Sequence, residues 1–357
     1  MENLSSKTIS YLRLPLMILV VTIHTNLYQF MNGEWLVKKG DYLGYDFFNY
    51  IVVEEIARIA VPLFFVISGY LFFYGKDFDI HVYSYKIKKR IYSLLIPYLI
   101  WNILVGIFQY VSQKYLSGIT SGARSFIVEY KWYDWFRIFW NYTDGTPICN
   151  QFWFIRDLMI LVILSPIIYW FIKYTKIYGI IILNILVILG IFPKLSFYTL
   201  EPYFFFIGAY FAINKIDIVS FSRRYINYTL LYPILLILSL LVEYHYIQLN
   251  VDNYFHKLSI YFGILLAFSI VSKLLESEYI SCNKKWTECT FFLYAYHMLT
   301  VSLLCKLCIK YIRPDSSYKL IISFIIIDFI IVLGGYYLYH LFKRYMPRIT
   351  SIMCGSR

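Results

Sequence analysis

The chain has 357 residues, of which 60% are hydrophobic, 21% aromatic and only 15% charged. A soluble globular protein is about 45–50% apolar and about 25% charged, so this composition excludes that class. The formal net charge of +12 is compatible with nucleic-acid binding, but cytoplasmic loops rich in Lys and Arg explain it more simply in a membrane protein. The composition therefore predicts an all-α, polytopic membrane protein.

Apolar runs of about 20 residues recur along the chain, which is the length that crosses a bilayer core. We expect about ten spans, at 9–30, 50–73, 91–111, 152–172, 177–193, 198–213, 226–244, 255–272, 291–311 and 319–342. With the N-terminus inside, more than half of the 33 Lys and Arg residues face the cytoplasm, which favours both termini being cytoplasmic. We expect one transmembrane domain over 1–357 and no cleavable signal peptide.

Arg13 and His24 are the two basic residues of the first span. Eleven residues make about three helical turns, so both side chains lie on one face, roughly 16 Å apart along the axis. Basic side chains at membrane depth normally face a protein interior or a wet cavity. The pair predicts a polar passage. The alternative is that Arg13 snorkels to the interface and His24 is a hydrogen-bonded core residue.

The second span places Arg58 in its outer part and the sequence Ser68-Gly69-Tyr70 near its inner end. Gly69 allows another helix or a ligand to approach the backbone closely. The hydroxyls of Ser68 and Tyr70 are candidates for binding a substrate, although interhelical hydrogen bonds are their ordinary use.

A basic cluster precedes the third span and consists of Lys86, Lys88, Lys89 and Arg90. Such a cluster usually sets topology or contacts anionic lipid. It equally suits the phosphates of a nucleotide-bearing cosubstrate that arrives from the cytosol.

The external loop at 112–151 is rich in Trp and Phe. Rings at this spacing are typical of a helix that lies in the membrane interface, and a stacking platform for a sugar is the alternative. The adjacent Arg156 and Asp157 should point about 100° apart, so they need not pair with each other. The Cys305 and Cys308 thiols are expected to pack in a helix, and no metal site is indicated.

Several of these motifs occur together in one known family. The chain resembles the acyltransferase-3 family of integral membrane acyltransferases. The resemblance is carried by Arg13 and His24, by Arg58…Pro62-Leu-Phe-Phe…Ser68-Gly69-Tyr70, by Lys89-Arg90…Ile96-Pro97-Tyr98, and more weakly by Phe152-Trp153-Phe154, Phe204-Phe205-Phe206-Ile-Gly208 and Tyr294-Ala-Tyr296-His297.

The resemblance implies ten or so helices in a bacterial inner membrane. It also implies transfer of an acyl group, usually acetyl from acetyl-CoA, to a hydroxyl of an extracytoplasmic or lipid-linked glycan. Acetyl-CoA is then a cosubstrate, and no permanently bound cofactor is expected. Some relatives carry an SGNH hydrolase-like domain after the membrane part. Because this sequence stops at Arg357, soon after the last span, we expect none here.

Acyl transfer from a thioester assigns roles to the catalytic candidates. His24 is expected to act as the base for the acceptor hydroxyl, or as a transient acyl carrier. Arg58, Ser68, Tyr70 or Asn102 are candidates to stabilise the tetrahedral oxyanion.

Other candidates would hold the two substrates. Arg13 is expected to hold acetyl-CoA by charge-assisted hydrogen bonds, together with Lys86, Lys88, Lys89 and Arg90. The candidate residues for binding the glycan are Glu201, Asn102, Trp153 and His297.

A transporter or sensor of a small molecule, such as an amino acid, is the alternative function. Charges within spans and helices broken by Pro or Gly are equally typical of transporters. Inverted-topology repeats would favour that function, and we identify none in the sequence. A homo-oligomer is possible under either function.

Overall fold

The computed structural model describes residues 4–31, 34–75, 77–115, 127–141, 145–191, 201–244 and 254–355. Parts of the predicted external loop, and the ends of the predicted spans at 177–193 and 198–213, lie outside these ranges. The α-helices are α1 Leu4–His24, α2 Leu43–Asn49, α3 Ala60–Phe73, α4 Ile80–Arg90, α5 Ile96–Tyr115, α6 Trp153–Ile163, α7 Ser165–Ile188, α8 Phe204–Ile213, α9 Ile218–Arg224, α10 Leu231–Glu243, α11 Tyr254–Glu276, α12 Lys284–Glu288, α13 Thr290–Leu307, α14 Ser317–Tyr345 and α15 Pro347–Met353.

Within the described ranges, eight helical segments are long and apolar enough to cross a membrane. In lipid no water is present to bond the backbone, and a helix pairs its backbone N–H and C=O groups within itself. These segments are Leu4–His24, Leu43–Phe73, Ile80–Tyr115, Ser165–Ile188, Ile226–Glu243, Tyr254–Glu276, Thr290–Ile312 and Ser317–Tyr345. The residues of α8 and α9, bent by 97° at their break, make a ninth if they form one span. The all-α membrane class is confirmed, with eight or nine such segments against about ten predicted.

The structure adds detail at two of the predicted boundaries. The basic cluster before the third span lies on a helix, α4, which continues through a π-helical turn at Ile91–Leu95 into α5. The Asp79 side chain starts α4 by accepting a hydrogen bond from the Val82 backbone N–H at 2.7 Å. Farther along, Lys176 is non-helical, with φ 54°, and divides α7 where the sequence predicts a break between the spans 152–172 and 177–193.

The closest helix pair is α3 with α8, and glycine makes that approach possible. A Cβ atom on Gly69 would overlap the backbone carbonyl of Phe205, and one on Gly208 would overlap the carbonyl of Val66. Because small residues let helix backbones meet, this contact brings α3 and α8 together without intervening side chains. The close approach predicted at Gly69 is therefore made to a helix.

A short hairpin follows α1. Strands β1 Gln29–Met31 and β2 Glu34–Val37 pair antiparallel. The hairpin lies at the end of α1 that carries His24, whereas Arg13 lies about three turns back toward α4 and its basic cluster. The two ends of the molecule therefore present different charged groups.

Candidate active site

Helix α1 brings Arg13 and His24 into one cavity. The cavity has a volume of about 500 Å³ and is bordered by both side chains. Its other walls come from α3, α4, α6 and α13. Leu16 and Val21, two of the apolar residues of α1 that separate them, are buried in the core. The face shared by Arg13 and His24 is thus open to a common space, as the predicted passage requires.

One end of this cavity is basic. Lys86, Lys89 and Arg90 of α4 border it beside Arg13. Arg13 and Arg90 are close enough to repel each other electrostatically, and within the described ranges no carboxylate pairs with either. Lys86 donates a hydrogen bond to the Phe72 carbonyl and lies 5.3 Å from the centre of the Phe72 ring. Clustered cations without carboxylates are suited to an anionic ligand.

The opposite end contains a pair of histidines. The rings of His24 and His297 have centroids 5.2 Å apart and are tilted by 43°. His297 Nδ1 lies 2.7 Å from the Tyr294 carbonyl oxygen and 3.2 Å from that of Leu293. A carbonyl only accepts hydrogen bonds, so Nδ1 carries the proton and neutral His297 has a bare Nε2. His297 is fully buried and does not itself border the cavity, so it lies behind His24 as seen from the cavity.

Ser68 and Trp153 also border the cavity, on α3 and α6. Arg58 does not. Its side chain is partly exposed and pairs with Glu54, at 2.5 Å from Nη2 to Oε2, although its charge still acts on His24. The structure therefore brings Ser68 and Trp153 into the site and leaves Arg58 beside it.

Four other candidates lie elsewhere. Lys88 is exposed and does not border the cavity, since it is two residues, or about 200°, from both Lys86 and Arg90 on α4. Tyr70 borders a separate cavity and interacts with Asp217. The Asn102 side chain is fully buried, donating to the Tyr98 carbonyl at 2.8 Å and accepting from the Cys149 N–H at 3.0 Å. Glu201 begins a 3₁₀ turn and does not border the site.

The structure pairs two side chains that helical periodicity left free to separate. Arg156 and Asp157 are neighbours on α6, yet they form a buried ion pair at 2.6 Å between Arg156 Nη2 and Asp157 Oδ1. The long Arg side chain folds back, and its guanidinium also lies 4.9 Å from the Trp140 ring. Direction from Cα alone is a poor guide for a side chain of this length.

Sequence reasoning missed Gln151, which borders the cavity at the start of α6. It also gave little weight to Asp328 of α14, which accepts hydrogen bonds from the hydroxyls of Thr22, at 2.8 Å, and Thr25. These two threonines flank His24, so Asp328 fixes the end of α1 that carries it. An acidic residue within a span was the available signal for Asp328. For Gln151 the sequence contains no such signal, because a single Gln in a turn is not unusual.

The chain was compared with known proteins. The acyltransferase-3 family model, described as an acyltransferase domain, matches residues 7–340. The succinoglycan biosynthesis protein ExoH of Rhizobium meliloti (strain 1021) is 29% identical over 167 residues, which is 46% of this chain and 42% of that protein. The alignment thus spans less than half the length of this relative. No solved structure matches the chain.

The family model covers nearly the whole chain, including both ends of the cavity. This assignment favours the enzyme over the transporter or sensor. The chain belongs to the acyltransferase-3 family, and its apolar helices are those of a multi-pass membrane protein.

Proposed function

We propose that the protein transfers an acetyl group from cytosolic acetyl-CoA to a hydroxyl of an extracytoplasmic or lipid-linked glycan in a bacterial cytoplasmic membrane. One observation carries the proposal: a single cavity joins a cluster of cations around Arg13, which have no carboxylate partner among the described residues, to the imidazole of His24. The first group suits a phosphate-bearing donor, and the second suits a base for a hydroxyl.

The basic end would hold the phosphates of acetyl-CoA. Arg13 and Arg90 offer planar forks of N–H donors for phosphate oxygens, and Lys89 adds a mobile point charge. From there the pantetheine arm would lie along a mainly apolar wall that includes Met17, Val20 and other side chains. Arg13 and His24 are about three turns apart on α1, so the thioester would reach the imidazole with the phosphates still bound.

The transfer itself needs a base and a donor to the oxyanion. A His24 nitrogen would take the proton of the acceptor hydroxyl as its oxygen attacks the thioester carbonyl carbon. The tetrahedral intermediate would collapse with cleavage of the C–S bond. The CoA sulfur would leave and take the proton from the imidazolium, giving an ester and the CoA thiol. The Ser68 hydroxyl is the candidate donor to the oxyanion, and His297 would hold the His24 ring in place.

The acceptor class rests on two lines of support. The name of the similar Rhizobium meliloti protein connects it with the biosynthesis of succinoglycan, a polysaccharide. In addition, Trp153 borders the cavity, and aromatic rings are suited to stacking on sugar faces. A glycan acceptor brings hydroxyls, whose protons a histidine base can take near neutral pH.

The proposal is tested by expressing the protein in a bacterial host that makes an exported polysaccharide, and comparing the glycans by mass spectrometry with and without it. We expect a 42 Da addition per modified residue, removed by mild base because it is an ester. Feeding labelled acetate should label this group. Glycans unchanged in mass across hosts, with the protein present in the membrane, would reject glycan acetylation.

A further inference from the structure

Gln151 presents a buried hydrogen-bond acceptor at the cavity wall. The side chain is 3% exposed. Its Nε2 donates a hydrogen bond to the Ala295 carbonyl at 2.9 Å. This bond fixes which amide atom is nitrogen, because the amide oxygen has no proton to donate to a carbonyl. The other amide atom, Oε1, has no donor among the described residues. A buried acceptor without a donor costs folding free energy, so the position calls for a specific reason.

Gln151 borders the cavity and is connected to its histidine end. The Tyr294 hydroxyl donates to the backbone carbonyl of Gln151, and the backbone carbonyl of Tyr294 holds His297 Nδ1. The His297 ring in turn contacts His24. A short chain of contacts therefore connects the turn that bears Gln151 to the proposed base.

The chemistry of the ligands decides which group can satisfy Oε1. An acetyl thioester has a carbonyl oxygen, a methyl group and a sulfur, none of which donates a hydrogen bond. A sugar carries several hydroxyls, each of which can donate one. The reacting hydroxyl gives its proton to His24, so Gln151 must receive its bond from a different hydroxyl.

We propose that Gln151 Oε1 accepts a hydrogen bond from a second, non-reacting hydroxyl of the acceptor, so that the site selects polyols over simple alcohols. This inference rests on the proposed function and specifies its acceptor subsite. Amide N–H groups in the pantetheine arm are the other possible donors, and the experiment separates the two sources.

The first test uses the purified wild-type protein with small surrogate acceptors. Ethylene glycol and 2-methoxyethanol both offer a reacting hydroxyl and a second oxygen, but only the diol has a proton on that oxygen. We expect kcat/KM for acetyl transfer to be about tenfold or more higher for ethylene glycol, because the ether oxygen leaves Oε1 unpaired. Ethanol, which lacks the second oxygen, should resemble the ether. No variant is needed for this comparison.

The second test replaces the acceptor atom. Gln151→Met keeps the length of the side chain and removes Oε1, together with the Nε2 that donates to Ala295, so it should lower kcat/KM for ethylene glycol to about that for the ether and erase the preference. KM for acetyl-CoA should stay within about twofold. Gln109→Met makes the same chemical change on α5 away from the cavity, and it should keep the full preference for the diol.

Three results would overturn the inference: a wild-type protein that uses the two alcohols equally, one that acetylates neither, or a Gln151→Met protein in which only KM for acetyl-CoA rises. The last result would assign Oε1 to the pantetheine arm. Acetylated glycan in cells together with any of these leaves the proposed function standing. Unmodified glycan would reject the proposed function by itself.

Discussion

Charged side chains cluster at both ends of the molecule, but the two clusters differ in whether the charges are paired. At the end of α4, Arg13, Lys89 and Arg90 border a cavity and have no carboxylate partner in the described part of the chain. At the end that carries the hairpin, a second cavity of about 440 Å³ is bordered by acidic and basic side chains together. There the carboxylates are already hydrogen-bonded or paired.

The partners at the hairpin end are specific. Glu55 is 2% exposed, lies 2.8 Å from His256 Nδ1 and accepts from the Ser239 hydroxyl. Asp46 accepts from the Tyr28 hydroxyl at 2.6 Å. Burial, followed by this hydrogen bond and the charge of Asp46, raises the pKa of Tyr28, so the phenol keeps its proton throughout the physiological range. These contacts tie the segment after α1 to α2, and the π-helical segment Tyr50–Ile56 after α2 to α10 and α11.

The presence or absence of a partner separates charges that stabilise the fold from charges that are suited to binding a ligand. A paired buried charge destabilises the protein when its partner is lost. Unpaired like charges around a cavity gain their partner only when an anion binds, so their loss should affect binding more than folding. Four measurements test this distinction.

The largest effect is expected at the reactive centre. His24→Ala should lower acetyl transfer by about 10²–10⁴-fold, because it removes the proposed base. Thermal unfolding in detergent should change little, since His24 faces the cavity. The measurement is transfer of labelled acetyl from acetyl-CoA, and transfer at the wild-type rate would remove His24 from the mechanism.

Glu55→Ala should destabilise the protein by about 3–5 kcal/mol, because His256 and Ser239 lose a buried partner. Its KM for acetyl-CoA, measured on the folded fraction, should be unchanged. Glu55→Gln retains hydrogen-bonding oxygen and nitrogen atoms and should lose less. If Glu55→Ala is as stable as the wild type but binds acetyl-CoA poorly, the distinction between the two ends fails.

Arg13→Ala should raise KM for acetyl-CoA about 10–100-fold, the equivalent of about 1.5–3 kcal/mol for hydrogen bonds to charged groups. Its stability should not fall, because removing it relieves repulsion from Arg90. Lys88→Ala is the control on the exposed side of α4. An equal rise in KM for both variants would indicate a diffuse charge effect and contradict a defined phosphate site.

The smallest effect is expected for an ion pair near the surface. Lys343 lies 2.5 Å from Glu288, and this hydrogen bond is the main reason the pKa of Glu288 is lowered. A lowered pKa stabilises the fold above the unfolded value, and that contribution disappears as the pH falls through the folded value.

Glu288→Gln should therefore cost at most about 1 kcal/mol at neutral pH, and the difference should shrink as the pH falls below the unfolded value of about 4.3 and vanish below the folded value. Unfolding curves across pH test this, with acetyl-CoA binding as the control that should not change. A loss that does not shrink below about pH 4 would exclude the ion pair as its cause.

Local sequence determined a large part of this protein. The spans follow from the length of the apolar runs, and the common face of Arg13 and His24 follows from helical periodicity, since both depend only on neighbours along the chain. The same is true of the basic cluster on α4, although its helical state was not predicted. The family motifs were also readable, and residues 7–340 match the family.

Packing between helices decided the rest. The sequence could not place His297 of α13 against His24 of α1, or join the Gln151 amide to the Ala295 carbonyl, because those contacts join residues more than 100 positions apart. Nor could the sequence predict that Tyr70 and Asn102 lie away from the site. Periodicity states which residues of one helix share a face, but which helix that face meets is a property of the assembled bundle.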